Sequence, residues 1–127
     1  MATIQAKTMR DTVYQGTHGN VSVAVGQVSL NAAAMDDVVQ LLEMPVGMRI
    51  HTVDVISDAL GADVTVEIKS GQATLVPAAA HSSAVVKSVP IVPYTTADDG
   101  EIITAVIAGG AATGRLVVNV QYVAMGV

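Results

Sequence analysis

The sequence predicts an all-β protein: an antiparallel two-sheet sandwich, with a jelly roll as the expected arrangement and little helix. Three observations carry this. Apolar residues recur with period two in run after run, which puts one set on a core face and the other on an outer face. Val and Ile far outnumber Leu, and β-branched side chains fit a half-buried pleated surface. Turn residues punctuate the chain at roughly the eight-to-twelve-residue spacing of a sandwich or barrel.

The elements follow in order. The opening residues have the weakest pattern. They read as a strand near 3–14 whose first part is an extended arm over 1–12, ahead of one sandwich domain spanning 13–127. After the turn residues Gly16 to Asn20, a strand near 20–30 is carried by Val21, Val23 and Val25, alternating with Ser22, Ala24 and Gly26. From Asn31 to Met44 two readings compete. Asn31 followed by Ala32, Ala33 and Ala34 offers a capped helix start, with Val38, Leu41 and Leu42 at helical spacing. The β-branched pair Val38-Val39 and the turn Pro45-Val46-Gly47 favour a strand at 37–44, with that turn as a hairpin reversal into a strand at 48–59.

Val64, Val66 and Ile68 alternate with Thr65, Glu67 and Lys69, which sets a strand at 62–69. The Ser70-Gly71 turn leads into a short strand at 73–77, and Pro77 to Ser83 reads as a loop or a single helical turn. Strands at 84–92 and 101–108 flank the turn Asp98-Asp99-Gly100. The last strand, 115–124, has Leu116, Val118, Val120 and Tyr122 on one face. Gly109 to Gly114 reads as the hairpin loop that precedes it.

Composition limits what such a sandwich does. Of the 127 residues, 51% are hydrophobic and only 13% charged, about half the usual charged share of roughly 25%. Too few charges remain to cover a solitary domain, so part of the surface is either neutral polar or buried against neighbours. We favour neighbours, as a homodimer or homotrimer. Phe, Trp and Cys are absent and Tyr14, Tyr94 and Tyr122 are the only aromatics, so the core must be built from thin side chains between closely packed sheets.

The net charge is −5, with cations scattered singly at Lys7, Arg10, Arg49, Lys69, Lys87 and Arg115. Direct nucleic-acid binding is disfavoured, because phosphates need clustered cations and bases need aromatic platforms. The absence of cysteine rules out a disulfide framework and fits synthesis in a reducing cytoplasm. The start lacks a signal-peptide apolar region, and the most apolar stretch, Ile102 to Ala108, is far short of a membrane-spanning helix. No membrane partner is expected.

Signatures of catalytic chemistry are sparse. His18, His51 and His81 show none of the paired spacings of a metal site. The acidic groups Asp36-Asp37 and Asp98-Asp99-Gly100-Glu101 lack the spacing of a calcium loop. Gly109 to Gly114 leads into a strand, whereas a phosphate loop leads into a helix. His81-Ser82-Ser83 has no nucleophile elbow around it. No enzyme activity and no cofactor are expected.

One longer pattern is recognisable. A strand ends in Met44-Pro45-Val46-Gly47. Arg49-Ile50-His51-Thr52-Val53-Asp54-Val55-Ile56-Ser57-Asp58-Ala59-Leu60-Gly61 follows, then Pro93-Tyr94-Thr95-Thr96-Ala97 and the closing run through Ala111-Ala112-Thr113-Gly114-Arg115-Leu116-Val117-Val118-Asn119-Val120-Gln121-Tyr122. Over roughly residues 37–123 this resembles the small jelly-roll head proteins of tailed double-stranded-DNA bacteriophages, the cement or decoration proteins of the capsid exterior. The resemblance implies a virion protein, made in the host cytoplasm. It would bind major capsid protein on the outside of the shell and bridge neighbouring subunits against internal pressure. Two other readings stand beside it: a different phage structural part, such as a tail or head–tail adaptor, and a carbohydrate-binding module, which the scarcity of aromatic platforms disfavours.

The arm is the expected partner-binding segment. Ile4 and Met9 are apolar, Lys7 and Arg10 are cationic, and a segment of this kind adds to a sheet edge by main-chain hydrogen bonds. Burying Ile4 and Met9 contributes on the order of 3–5 kcal/mol before ordering costs.

Overall fold

The computed structural model describes residues 2–13, 20–97 and 99–125. Within them nine strands form: β1 (Thr3–Gln5), β2 (Val21–Ala33), β3 (Val38–Met44), β4 (Met48–Ser57), β5 (Thr65–Ser70), β6 (Ala73–Ala80), β7 (Val85–Thr95), β8 (Glu101–Ala108) and β9 (Ala112–Ala124). A single 3-10 turn, Lys7–Arg10, is the only helical element among the described residues.

The strands sort into two sheets, ordered β1-β3-β8-β5-β6 and β2-β9-β4-β7. Their pairing is nested. β5 and β6 pair across the two-residue turn Gly71-Gln72, and outside them β4 pairs with β7, β3 with β8 and β2 with β9, all antiparallel. Gly71 has φ 57°, the positive value that a two-residue hairpin turn demands at its first position. The chain is thus one long hairpin with its tip at Gly71-Gln72, and successive strand pairs fall alternately into the two sheets. That is the jelly roll, and the predicted sandwich holds.

The core lies between the sheets. Val53, Val55, Val66, Ile68, Ile103, Ala105, Leu116, Val118 and Val120 are all buried, the inward half of their alternating strands. Tyr122 is the largest buried side chain, followed by Leu41, Met44 and Met48. With no Phe or Trp to use, the fold buries Met44 and Met48 in its core, where a flexible unbranched chain adapts to irregular space.

Several expectations need correction. Pro45-Val46-Gly47 and Gly109 to Gly114 are reversals but not hairpins: β3 and β8 lie in one sheet, β4 and β9 in the other. Period-two patterning states which face of a strand is buried and does not state which sheet receives the next one. The segment Pro77–Ala80 continues β6 instead of forming a loop or helical turn, with Ala79 opposite Val66 and Ala80 opposite Thr65. Sheet pairing there overrides the weak β-propensity of alanine. The capped-helix alternative does not form either. Asn31 to Ala33 extend β2 through a bulge, where Ala32 takes φ 51° and its N–H donates to Thr113 Oγ1. The strand expected near 3–14 stops at Gln5, because the chain must then pass from one sheet to the other. Tyr14, His18, Asp98 and most of the turn Gly16 to Asn20 lie outside the described residues.

Candidate interaction surface

Four strands sit at sheet edges: β1 and β2 on one side of the sandwich, β6 and β7 on the other. The two sides are built differently. On the far side, β6 carries Pro77 and β7 carries Pro90 and Pro93, which remove main-chain donors. Lys87 lies opposite the inward-facing Val55, so its charge points toward the sandwich. Prolines and inward charges are the usual devices that stop an edge from pairing with another chain. Val86 and Val92 are exposed there, but on a defended strand.

The near side lacks proline and inward charge; there the strap of residues 6–10 runs beside β2, and Thr8 Oγ1 takes the Gln27 N–H. Residues 20–34 contain no charge and no proline, and Val21, Val23 and Val25 of β2 are 64%, 55% and 45% exposed. These three alternate residues form an apolar row along the edge of the four-stranded sheet. On β9 the row faces Val123, Gln121 and Asn119, while Val117 and Ile56 form a separate apolar pair between Gln27 of β2 and Val86 of β7.

Residues 2–10, which contain the four predicted partner-binding positions, lie on this same side. β1 adds in parallel to β3, with Ile4 opposite Val39 and Gln5 opposite Gln40. Ala6 N–H donates to Gln40 O at 2.9 Å and Val38 N–H to Ala2 O at 3.0 Å. Ala2 N donates to Asp37 Oδ1 at 2.9 Å, and Gln5 Nε2 to Gln40 Oε1 at 3.0 Å. Ala6 is buried and Ile4 packs against the core from a half-buried position. The Thr8 hydroxyl then clips the two sheets together, donating to Leu41 O on β3 and accepting Gln27 N–H from β2. Of the four predicted residues, Ile4 faces inward, Met9 is half-buried, and Lys7 and Arg10 are exposed. A groove of about 480 Å³ runs between this strap and β2, with Ile4, Lys7, Gln27 and Ser29 among its walls.

The motifs behind the sequence resemblance meet in pairs. At one end, Thr96 ties Pro93-Tyr94-Thr95-Thr96 to the Pro45-Val46-Gly47 turn. Its Oγ1 donates to Pro45 O at 2.6 Å and accepts Met48 N–H at 3.0 Å, while Gly47 N–H donates to its carbonyl. At the other end, Asp58 Oδ2 accepts Arg115 N–H at 3.0 Å and Leu60 O accepts Thr113 N–H. These residues serve as pins of the roll.

The structure also joins two residues that sequence spacing kept apart. Ser57 Oγ lies 2.7 Å from His81 Nδ1. Such a pair is the chemical start of a nucleophile and its base; here Ser57 is 5% and His81 1% exposed, so the pair is enclosed by the fold. It bridges β4 to the segment after β6. The His81 pKa is held below its ordinary value by burial and, secondarily, by the charge of Lys87. His51 sits at the β4 bulge and accepts Arg49 Nε–H at 2.9 Å. Among the described residues, no three His, Asp or Glu side chains converge as metal ligands. Tyr122 is buried and Tyr94 bonds to Glu101.

No family model and no curated protein sequence matches the chain. Its fold does match solved structures. A chain in the capsid of Ralstonia phage GP4 is 19% identical with a TM-score of 0.75, covering 98% of this chain and 99% of that one. A chain in the cyanophage Pam1 capsid asymmetric unit is 20% identical with a TM-score of 0.71, covering 89% and 93%. A chain in the capsid of Helicobacter pylori bacteriophage KHP30 is 16% identical with a TM-score of 0.50, covering 84% and 89%. The likeness to phage head proteins read from the sequence is therefore matched by fold, over almost the whole length of both chains. No described helix is long and apolar enough to cross a membrane.

Proposed function

We propose that this chain is a non-enzymatic structural protein of a phage virion that binds the outside of the capsid and bridges neighbouring major capsid subunits. It works as a homodimer or homotrimer and needs no cofactor. The observation that carries this is the asymmetry of the sandwich. One side is defended by prolines and an inward lysine, while the opposite side leaves an uncharged β2 edge with exposed Val21, Val23 and Val25 beside the strap. Natural edge strands of that kind are liabilities unless something covers them. A shell subunit that covers this side would bury the valine row and meet Lys7 and Arg10 with carboxylates.

The shared fold with capsid chains raises the expectation that the covering surface is a shell. A tail or adaptor role would use the same surface against a different part of the particle. Co-sedimentation of the purified protein with expanded empty shells of its own virus tests the reading. Saturable binding at a fixed number of copies per shell supports it, and shells that pellet bare contradict it.

A further inference from the structure

We propose that residues Ala2 to Arg10 exchange between copies, so that the strap of one molecule occupies the seat on a second. This deepens the oligomer reading above and names the occupant of the seat. Four features support it. The seat is a formed binding site: it holds a parallel ladder from Ala2 to Ala6, a pocket for Ala6, and specific bonds from Asp37, Gln40 and Leu41. The strap itself is weakly rooted, because β1 has only three residues and pairs on one side alone, which places it at the easily opened end of the stability range.

The third feature is the hinge. Asp11 and Thr12 are exposed and outside any strand or helix, so backbone rotation there redirects the strap while the nested strand pairs β2–β9 through β5–β6 keep their register. Residues 2–10 fully extended reach about 30 Å, about twice the radius of gyration of a domain this size, roughly 14 Å. The fourth is charge. Two of the six cations and none of the eleven acidic residues lie in residues 2–10. The remaining body therefore has four cations against eleven acids, and a cationic strap is drawn to the acidic body of any copy. Exchange keeps every contact of the seat and adds a link between molecules.

The Gln5–Gln40 contact makes the test direct, since the chain has no cysteine of its own. Gln5→Cys and Gln40→Cys are made separately, mixed at high protein concentration and oxidised or joined with a short thiol-reactive linker. Exchange predicts a covalent species of twice the monomer mass containing one of each variant, at least tenfold more abundant than any dimer formed by either variant alone. The double variant should give covalent multimers. If the mixture forms no such heterodimer and the double variant closes wholly within one molecule, exchange is wrong. If the double variant does not close at all, β1 is not seated on β3 and the proposal also fails. Shell co-sedimentation of the unmodified protein is scored separately, so loss of exchange with shell binding intact removes this inference alone.

Discussion

The hydroxyl of Tyr94 lies 2.7 and 2.8 Å from the two carboxylate oxygens of Glu101, in the same hub where Ser70 Oγ and Ala97 N–H each donate at 2.8 Å. One carboxylate thereby ties the end of β5, the end of β7 and the start of β8. Hydrogen bonds to a charged acceptor contribute roughly 1.5–3 kcal/mol. Glu101→Gln should therefore lower stability by about 2–3 kcal/mol, and Tyr94→Phe by about 1–2 kcal/mol. A double-mutant cycle by urea unfolding should show coupling, and strictly additive losses would mean the pair does not act as a unit.

Gly109 is fixed by its surroundings. Its φ is +83°, and a Cβ built there would stand 1.9 Å from Asp63 O. The obstacle is backbone, which cannot swing aside. Gly109→Ala should cost roughly 3 kcal/mol or more, adding left-handed strain to a steric clash. A thermal unfolding midpoint unchanged from wild type would show that the loop at this position is not packed as described.

These residues also mark what the sequence revealed. Alternation at Val64, Val66 and Ile68 or at Leu116 to Tyr122 specifies strand and buried face, because the pleat has period two. Sheet membership is decided elsewhere. Gly109 to Gly114 looks like a hairpin loop, yet it carries the chain across the sandwich to Leu60 and Asp58. Nothing local distinguishes those outcomes. Ser57 and His81 meet only because the nested pairing of β4–β7 and β5–β6 brings their strand ends together, so their contact was invisible to spacing. The contrast between the β2 and β7 edges was half legible: the prolines and the valine row stand in the sequence, but which strands are edges does not.

His81 predicts an acid-sensitive stability. Its folded-state pKa lies below the ordinary 6.5, chiefly through burial. The unfolded chain takes up a proton near 6.5 and the folded chain resists it. Stability from this group is thus full above about pH 6.5 and falls as pH drops through the window below it, flattening once the folded-state pKa is passed. Urea midpoints between about pH 8 and pH 5 should show that decline, and His81→Asn should flatten it. The same slope in the variant would assign the effect to other groups.

Removing residues 2–10 should leave the jelly roll folded, because the nested pairs β2–β9 through β5–β6 do not depend on β1. The loss of Ala6 and Ile4 from the core margin and of the Thr8 clip should cost about 2–4 kcal/mol. Circular dichroism should still report a β-rich chain, while affinity for shells falls at least tenfold. Full-strength binding by the truncated protein would reduce the strap to a stabilising flap.

The β1–β2 side, free of proline and of inward charge, is the proposed working surface. Two variants of equal charge test it: Val21→Lys with Val23→Lys on β2, and Val86→Lys with Val92→Lys on β7. All four positions are exposed, so each pair should change stability by about 1 kcal/mol or less. Shell co-sedimentation then compares them directly. The β2 pair should lose binding by at least tenfold while the β7 pair binds like the unmodified protein. Equal retention by both, or loss confined to the β7 pair, would contradict the account.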